Sequence, residues 1–326
     1  MKITFYLRDL RQGNYSIEKI FHAVADQLKD QSEISFFYVD SSKGFLRNLL
    51  SARKAQGDVN HITGDVNWLI FGLDKRKTII TVHDLGHFEN TLTGLKKWIY
   101  KHLWLLIPFK KAQLLTSISE FTKSRIKYHF GFHQKIVVIH NPLIQNKSSI
   151  VKRAFNQEKP NILQIGIMQN KNLERLIHAA KDLDCHLILI RDLDETTKQQ
   201  LRQKKISFEC YSDVSEELLQ ELYLRTDILF FASTYEGFGL PIIEAQAYRI
   251  PVITSNLCSM PEVAGHNSLL VDPYSVNAIR DGLRKIINNE SFREDLVRHG
   301  EENVKRFKIE IISRKYLQLY HRVHEN

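Results

Sequence analysis

The sequence predicts an α/β protein made of two Rossmann-like, doubly wound domains facing a cleft. Three observations predict it. Short apolar runs of strand length alternate with stretches of helical periodicity along the whole chain, the pattern of parallel sheets wound through right-handed crossovers. The length of 326 residues suits two domains of roughly 100–200 residues each. Between Asn141-Pro142 and Pro160 lies a stretch rich in Lys, Ser, Asn and Gln without clear periodicity, which reads as the seam. The expected division is 1–145, then 146–307, then a terminal helix over 308–326 that returns to the first domain.

The elements follow from local pattern. In the first half, apolar runs at 2–7, 34–39, 78–82, 113–117 and 136–139 read as strands, and helical spacing covers 16–28 and 94–109. In the second half, strands are expected at 161–165, 186–190, 206–210, 227–231 and 251–254, with helices at 173–181, 215–224 and 241–248. The tail, 292–324, reads as helical and charged, and no internal repeat or low-complexity tract is present.

Composition narrows the class. An apolar content of 43% is globular and allows two sizeable cores. No stretch approaches the roughly 20 apolar residues of a membrane span. The opening MKITFYLRDL carries charge too early for a signal sequence and reads as a first strand. Cys185, Cys210 and Cys258 form neither a zinc spacing nor a disulfide framework, so a reducing cytoplasm is expected. The net charge of +9 is uneven: residues 1–150 hold 22 Lys and Arg against 12 Asp and Glu, and the remainder is nearly balanced. A basic first half points to an anionic surface or an acidic acceptor as readily as to ordinary solubilising charge.

The most informative window is STYEGFGLPIIEA, in which seven residues separate Glu236 from Glu244. The apolar run 228–231 before it reads as a buried parallel strand, and Pro241 reads as the first position of a helix. One carboxylate is then expected in a strand-to-helix loop and the other in the first turn of the helix. Gly237 and Gly239 between them let backbone approach a ligand closely. Such loops lie beyond the carboxyl ends of parallel strands, where open α/β sheets bind ligands. The acids accept hydrogen bonds from hydroxyls, and the helix end favours an anion. Together they suit a sugar joined to a phosphate.

This window resembles the E-x7-E signature of retaining glycosyltransferases with two Rossmann-like domains (the GT-B type), and most closely of the large group called family 4. Other stretches fit in order: TVHDL (81–85), SISEFTKS (117–124), VIHNPL (138–143), ILQIGIMQNKNLERLIHA (162–179), RIPVITSNLCSMPEVAG (249–265) and LLVDPYS (269–275). The resemblance is dense in the second half and sparse in the first. It implies an N-terminal acceptor-side domain and a C-terminal domain that binds the nucleotide-sugar. It implies that Glu244 holds the ribose hydroxyls. Glu236, with the backbone of Phe238 and Gly239, would face the donor sugar and its phosphate. Lys171 would neutralise the diphosphate, and His83 would lie near the reacting carbon. Catalytic roles are thereby expected for His83, Glu236 and Lys171. Donor contacts are expected from Gly166, Lys171, Val214, Glu236, Gly237, Phe238, Gly239, Leu240 and Glu244, and acceptor contacts from Gly13, Asn14 and Asp84. The chain departs from the family where Ile167 follows Gly166 in place of a polar residue, and where 8–16 offers only Gly13 in place of a glycine-rich loop.

The implied activity is metal-independent transfer of a hexose-type sugar from a nucleotide-diphosphate sugar to a saccharide or lipid-linked acceptor in cell-surface polysaccharide assembly. No cofactor and no nucleic acid are expected, and closure of the two domains would complete the site. The alternative is a catalytically silent sugar-nucleotide-binding or assembly protein of the same fold. A metal-dependent transferase would instead use Asp192 and Asp194, since hard cations favour carboxylate oxygens; Asp194 reads more simply as a helix cap. His83, Asp84 and His87 lack a further ligand cluster nearby. The basic stretch LKKWIYKHLWLLIPFKK (95–111) reads as a crossover helix with its apolar side on the sheet. With lysines and Trp104 outward it would also suit the inner face of an anionic membrane.

Overall fold

The alternating elements assemble into two parallel six-stranded sheets. The computed structural model describes every residue except 10–15, 133–135, 145–153, 167, 266–267 and 326. The chain divides into one unit formed by Met1–Ile144 with Phe307–Asn326 and a second formed by Gln145–Arg306.

In the first unit, β1 (Lys2–Leu7), β2 (Glu33–Tyr38), β3 (Val59–Ile62), β4 (Thr78–Val82), β5 (Leu114–Ser117) and β6 (Ile136–Val138) lie in the order β2-β1-β3-β4-β5-β6. The flanking helices are α1 (Ser16–Leu28), α2 (Gly44–Lys54), α3 (Gly94–Tyr100), α4 (Ile107–Lys111) and α5 (Glu120–Phe130). In the second unit, β7 (Asn161–Ile165), β8 (His186–Ile190), β9 (Ser207–Tyr211), β10 (Ile228–Phe231), β11 (Val252–Ser255) and β12 (Leu269–Val271) take the order β12-β11-β10-β7-β8-β9. Its helices are α6 (Leu173–Ala180), α7 (Glu195–Gln203), α8 (Glu216–Arg225), α9 (Leu240–Ala247), α10 (Met260–Ala264), α11 (Val276–Asn288) and α12 (Glu290–Asn303). The terminal helix α13 (Ile309–His324) belongs to the first unit.

Every residue of β10 is buried, as a strand covered on both faces requires. Its neighbours in the second core include Ile162, Leu187, Leu189 and Ile253, with Leu176, Ile279 and Leu283 packing from the helices. Asp194 caps α7 by accepting a hydrogen bond of 2.6 Å from the Thr197 amide. The charged tail is broken at Val304–Phe307, a short 3-10 turn between α12 and α13.

The stretch after Gly94 departs from expectation. It is helical but widens to a π-helix over Lys101–Leu106. Leu105, Pro108 and Phe109 face the core. Leu95, Trp98, Ile99 and Leu103 remain 72%, 60%, 38% and 44% exposed, so the N-terminal part of the stretch does not pack its apolar side on the sheet. Trp104 is half-buried and stacks on Tyr100 at 6.1 Å.

A buried polar network ties α13 to the first sheet. His61 in β3 is fully buried. One ring nitrogen meets the Tyr320 hydroxyl at 2.7 Å and the other meets Thr81 Oγ1 at 2.7 Å. Burial pushes the imidazole down to about 3. An unfolded histidine titrates near ~6.5. Below that pH the unfolded chain takes up a proton that folded His61 refuses, so stability falls by about 1.4 kcal/mol per pH unit until the folded value is reached. Urea unfolding is therefore expected to show lower stability at pH 5 than at pH 7. Tyr320→Phe strands one nitrogen of His61 and is expected to cost a further ~1–3 kcal/mol at pH 7.

Candidate functional site

Strands β7 and β10 are parallel neighbours, with Ile228 opposite Ile162, so their carboxyl ends open on the same edge of the second sheet. The loop after β7 runs through Gly166 and a 3-10 turn, Gln169–Lys171, into α6. The loop after β10 carries Glu236 into α9. Where the loops meet, the Lys171 ammonium donates to Glu236 Oε1 at 2.6 Å. The two side chains are 20% and 14% exposed, enough enclosure to strengthen the attraction above that of a surface pair. The Lys171 nitrogen also lies 4.9 Å from the centre of the Phe231 ring. Gly166 makes this possible: its φ is +113°, and a Cβ there would lie 2.8 Å from Lys171 Cγ.

Side chains distant in sequence hold both loops. The Asn170 amide donates to the Tyr235 carbonyl at 2.7 Å, and the Asn170 carbonyl accepts from the Thr234 amide at 2.8 Å. Asn172, buried and left-handed at φ +65°, donates to the carbonyls of Ala232 at 2.9 Å and Pro273 at 2.7 Å. The Ser259 hydroxyl lies 2.9 Å from the Glu236 carbonyl and 2.8 Å from that of Phe238, sharing its proton between them.

Gly239 opens α9 with φ +108° and no side-chain cap. A Cβ there would lie 3.0 Å from Ile242 Cδ1 and 3.3 Å from the Phe231 ring. Leu240 is the first helical residue and Pro241 the second. Glu244 is accordingly in the second turn, not the first as the sequence suggested, because the helix starts at the earliest residue the glycine turn allows. At this depth the helix N-terminus contributes little to it. A partner that sequence reasoning missed does more: the Tyr223 hydroxyl of α8 donates to Glu244 Oε2 at 2.7 Å. The Tyr223 ring is buried and stacks on Tyr248 at 5.0 Å. Burial, then the Glu244 charge, pushes the Tyr223 hydroxyl well above the usual tyrosine range, so it stays a donor. Only the apolar spacing of α8 was legible in advance, with nothing to mark Tyr223 as a partner of position 244.

The other expected residues are distributed as follows. Gly237, Phe238 and Leu240 lie in the same loop and helix start. Val214 is half-buried in the turn before α8. His83 and Asp84 belong to the first unit, at the end of β4. His83 is buried and donates from Nε2 to the Thr63 carbonyl at 2.6 Å. Burial lowers its pKa, against a smaller opposing pull from Asp65. The ring is thus neutral at pH 7, with Nδ1 as an acceptor. Asp84 accepts from the Gly86 amide at 2.7 Å. Gly13, Asn14 and Ile167 lie outside the described residues. Among the described residues no three His, Cys, Asp or Glu side chains are placed to share a metal ion.

A cavity of about 750 Å³ elsewhere in the second unit is lined by Arg249, Glu290, Arg298 and Glu301 and by none of these residues. Arg249 and Glu301 pair at 3.3 Å across its wall, the character of a solvated ionic surface. The β7 and β10 loops instead bring an ammonium and the Glu236 carboxylate together ahead of α9, which starts without a side-chain cap and carries Glu244 in its second turn. Carboxylates of this kind can accept from hydroxyls, and a helix N-terminus beside a cation can receive an anion.

Residues 34–144 match the family described as Glycosyltransferase Family 4, and residues 145–303 match Glycosyl transferases group 1. The chain is 27% identical to the O-antigen chain mannosyltransferase B of Escherichia coli over 75% of its own length and 70% of that protein's. It is 23% identical to the serotype-specific mannosyltransferase WbdA of Escherichia coli over 69% of its length, and spans 31% of that longer protein. In fold it is similar to Anabaena Alr3699/HepE, solved in complex with UDP and glucose, with a TM-score of 0.80, 14% identity, and coverage of 98% of this chain and 99% of that one.

Asn172→Ala removes two hydrogen bonds to buried carbonyls and puts alanine in a left-handed conformation. It is expected to destabilise the second unit by ~1–3 kcal/mol in urea unfolding. Asn172→Gly, which keeps the backbone and loses only the bonds, should cost less.

Proposed function

Because the chain belongs to the group 1, family 4 glycosyltransferases, we propose that it moves a hexose-type sugar from a nucleotide-diphosphate sugar, with retention and without a metal ion. The acceptor is a growing saccharide or a lipid-linked one, in cell-surface polysaccharide assembly. Two relatives named as mannosyltransferases, one of an O-antigen chain, support this setting. The observation that carries the reading is the Lys171–Glu236 pair beside the bare start of α9, with Glu244 one turn further on.

In this reading the ribose hydroxyls of the donor bond Glu244, whose carboxylate Tyr223 orients. The diphosphate meets Lys171 and the N-terminus of α9. As the bond from the anomeric carbon to the phosphate oxygen breaks, negative charge grows on the departing diphosphate, and a fixed ammonium and oriented amides lower the barrier. Glu236 has two tasks: it positions Lys171 and accepts from sugar hydroxyls. The acceptor hydroxyl attacks the face the phosphate leaves, and the phosphate oxygen takes its proton. His83 is neutral and committed through Nε2, so it acts through Nδ1 as an acceptor for a sugar hydroxyl and not as an acid.

A thermal-shift panel of UDP, GDP, ADP and their sugars identifies the donor, since a ligand of the folded state raises apparent stability. With that donor, Glu244→Gln is expected to weaken nucleotide affinity severely. Tyr223→Phe should weaken it roughly tenfold, the loss of one hydrogen bond to a charged group. Nucleotide release on adding acceptor should survive a chelator. Binding without release under any acceptor would favour a silent binder, and chelator-sensitive turnover would exclude the metal-free reading.

The first unit is also proposed to rest on anionic lipid. No described helix is long and apolar enough to cross a membrane. Exposed Leu95, Trp98, Ile99 and Leu103 lie in a stretch with Lys96, Lys97, Lys101, Lys110 and Lys111 and no acidic residue. Each basic residue near such a surface adds about 1 kcal/mol. The protein should float with anionic vesicles at low salt and not with neutral ones. The double variant Trp98→Ser with Leu103→Ser should stay in the soluble fraction.

A further inference from the structure

The loops that leave the carboxyl ends of the second sheet hold little positive charge. They are 166–172 after β7, 191–194 after β8, 212–215 after β9, 232–239 after β10, 256–259 after β11 and 272–275 after β12. Lys171 and Arg191 are their only basic residues, against Asp192, Asp194, Asp213, Glu236 and Asp272. Lys171 is already balanced by Glu236. A sugar-linked diphosphate is ionised on both phosphates, so seating one at this edge calls for a further cation. Arg191 is the residue these loops supply.

Parallel pairing sets Arg191 beside the lysine. Ile165 lies opposite Ile190, and the Gly166 amide donates to the Ile190 carbonyl at 3.1 Å. Arg191 therefore leaves the sheet next to Gly166, about one strand spacing (~4.8 Å) away. Ile162, Leu187 and Leu189 share the core face with Leu176 and Ile177 of α6. By alternation, positions 164, 166 and 191 continue that face. Lys171 lies over its end: Gln164 Nε2 donates to the Lys171 carbonyl at 3.3 Å, and a Cβ on Gly166 would meet Lys171 Cγ.

Arg191 is half-buried and little committed. Among the described residues its guanidinium makes one hydrogen bond, from Nε to the Asp192 carbonyl at 3.5 Å, the outer limit of such a bond. Asp194, whose carboxylate feels the arginine charge, is exposed and caps α7. The planar guanidinium can give two parallel N–H groups to phosphate oxygens, which an ammonium cannot.

We propose that Arg191 is a donor-binding residue, whose guanidinium holds the diphosphate from the β8 side while Lys171 holds it from the β7 side. This deepens the transferase reading and rests on it. With Lys171 sharing its charge with Glu236, the arginine supplies the positive charge that the second phosphate needs.

The test uses the full chain with EDTA present. UDP, GDP and ADP are titrated by calorimetry, and the matching nucleosides are followed by saturation-transfer NMR. At least one diphosphate is expected to bind, and its nucleoside more weakly. Arg191→Gln should weaken the diphosphate roughly tenfold or more, the loss of a charged hydrogen-bonding partner, with the nucleoside signal unchanged. Arg191→Lys, which keeps the charge and loses the fork, should fall between the two. Melting without ligand reports folding; should Arg191→Gln unfold, a loss in Arg191→Lys confined to the diphosphate carries the proposal. It is overturned if a folded Arg191→Gln binds diphosphate like the parent, or if diphosphate and nucleoside weaken alike. It is also overturned if the parent binds only with added magnesium, which would put a metal in the place given to the arginine. A parent that binds no nucleotide, with or without magnesium, would sink the transferase reading itself, whereas intact binding in Arg191→Gln sinks the arginine alone.

Discussion

The ammonium of Lys171 against the carboxylate of Glu236, at 2.6 Å, is the contact on which the rest of the second unit's site depends. It is possible because β7 and β10 are parallel neighbours and project their loops from one edge. A half-enclosed ion pair repays its desolvation only with good geometry and hydrogen-bonded surroundings. The surroundings supply both. Asn170, Asn172 and Ser259 fasten the two loops to backbone carbonyls. Gly166 admits the lysine stem and Gly239 admits the start of α9 against Phe231. What results is a fixed cation close to the start of α9, which has no side-chain cap, the arrangement on which the proposed stabilisation of a departing phosphate rests.

The two acids of the signature hold different environments. Glu236 is committed to a cation. Glu244 is met by a neutral, buried tyrosine hydroxyl that fixes one oxygen and leaves the carboxylate its charge. In the proposed reading the carboxylate so oriented meets the ribose hydroxyls, and the lysine meets the phosphate. The difference between them follows from partner chemistry more than from position along α9.

In the first unit the chemistry is sorted by burial. His61 and His83 are kept neutral in the interior, each tied by hydrogen bonds. The Arg8–Glu18 pair cancels its own charge at the mouth of β1. The lysines of 95–111, with no acidic residue among them, lie in the same stretch as exposed tryptophan and leucine.

The sequence by itself determined the two-sheet α/β plan, because strands and helices announce themselves through local periodicity. Runs such as 161–165 and 186–190 coincide with β7 and β8. It also determined the two-glutamate loop, since a glycine turn followed by proline is a local signal for a helix start. It did not reveal β3, whose residues Val59–Ile62 include Asn60 and His61, because polar side chains satisfied by distant partners break the apolar pattern. The tertiary structure alone decided that Lys171 meets Glu236 across 65 residues, that Tyr223 meets Glu244 across 21, and that His61 meets Tyr320 across 259. Those pairings depend on strand order and on the packing of helices against the sheets. Neither is written in any local stretch of chain, because hydrogen bonds between side chains need the three-dimensional approach that only the assembled sheets provide.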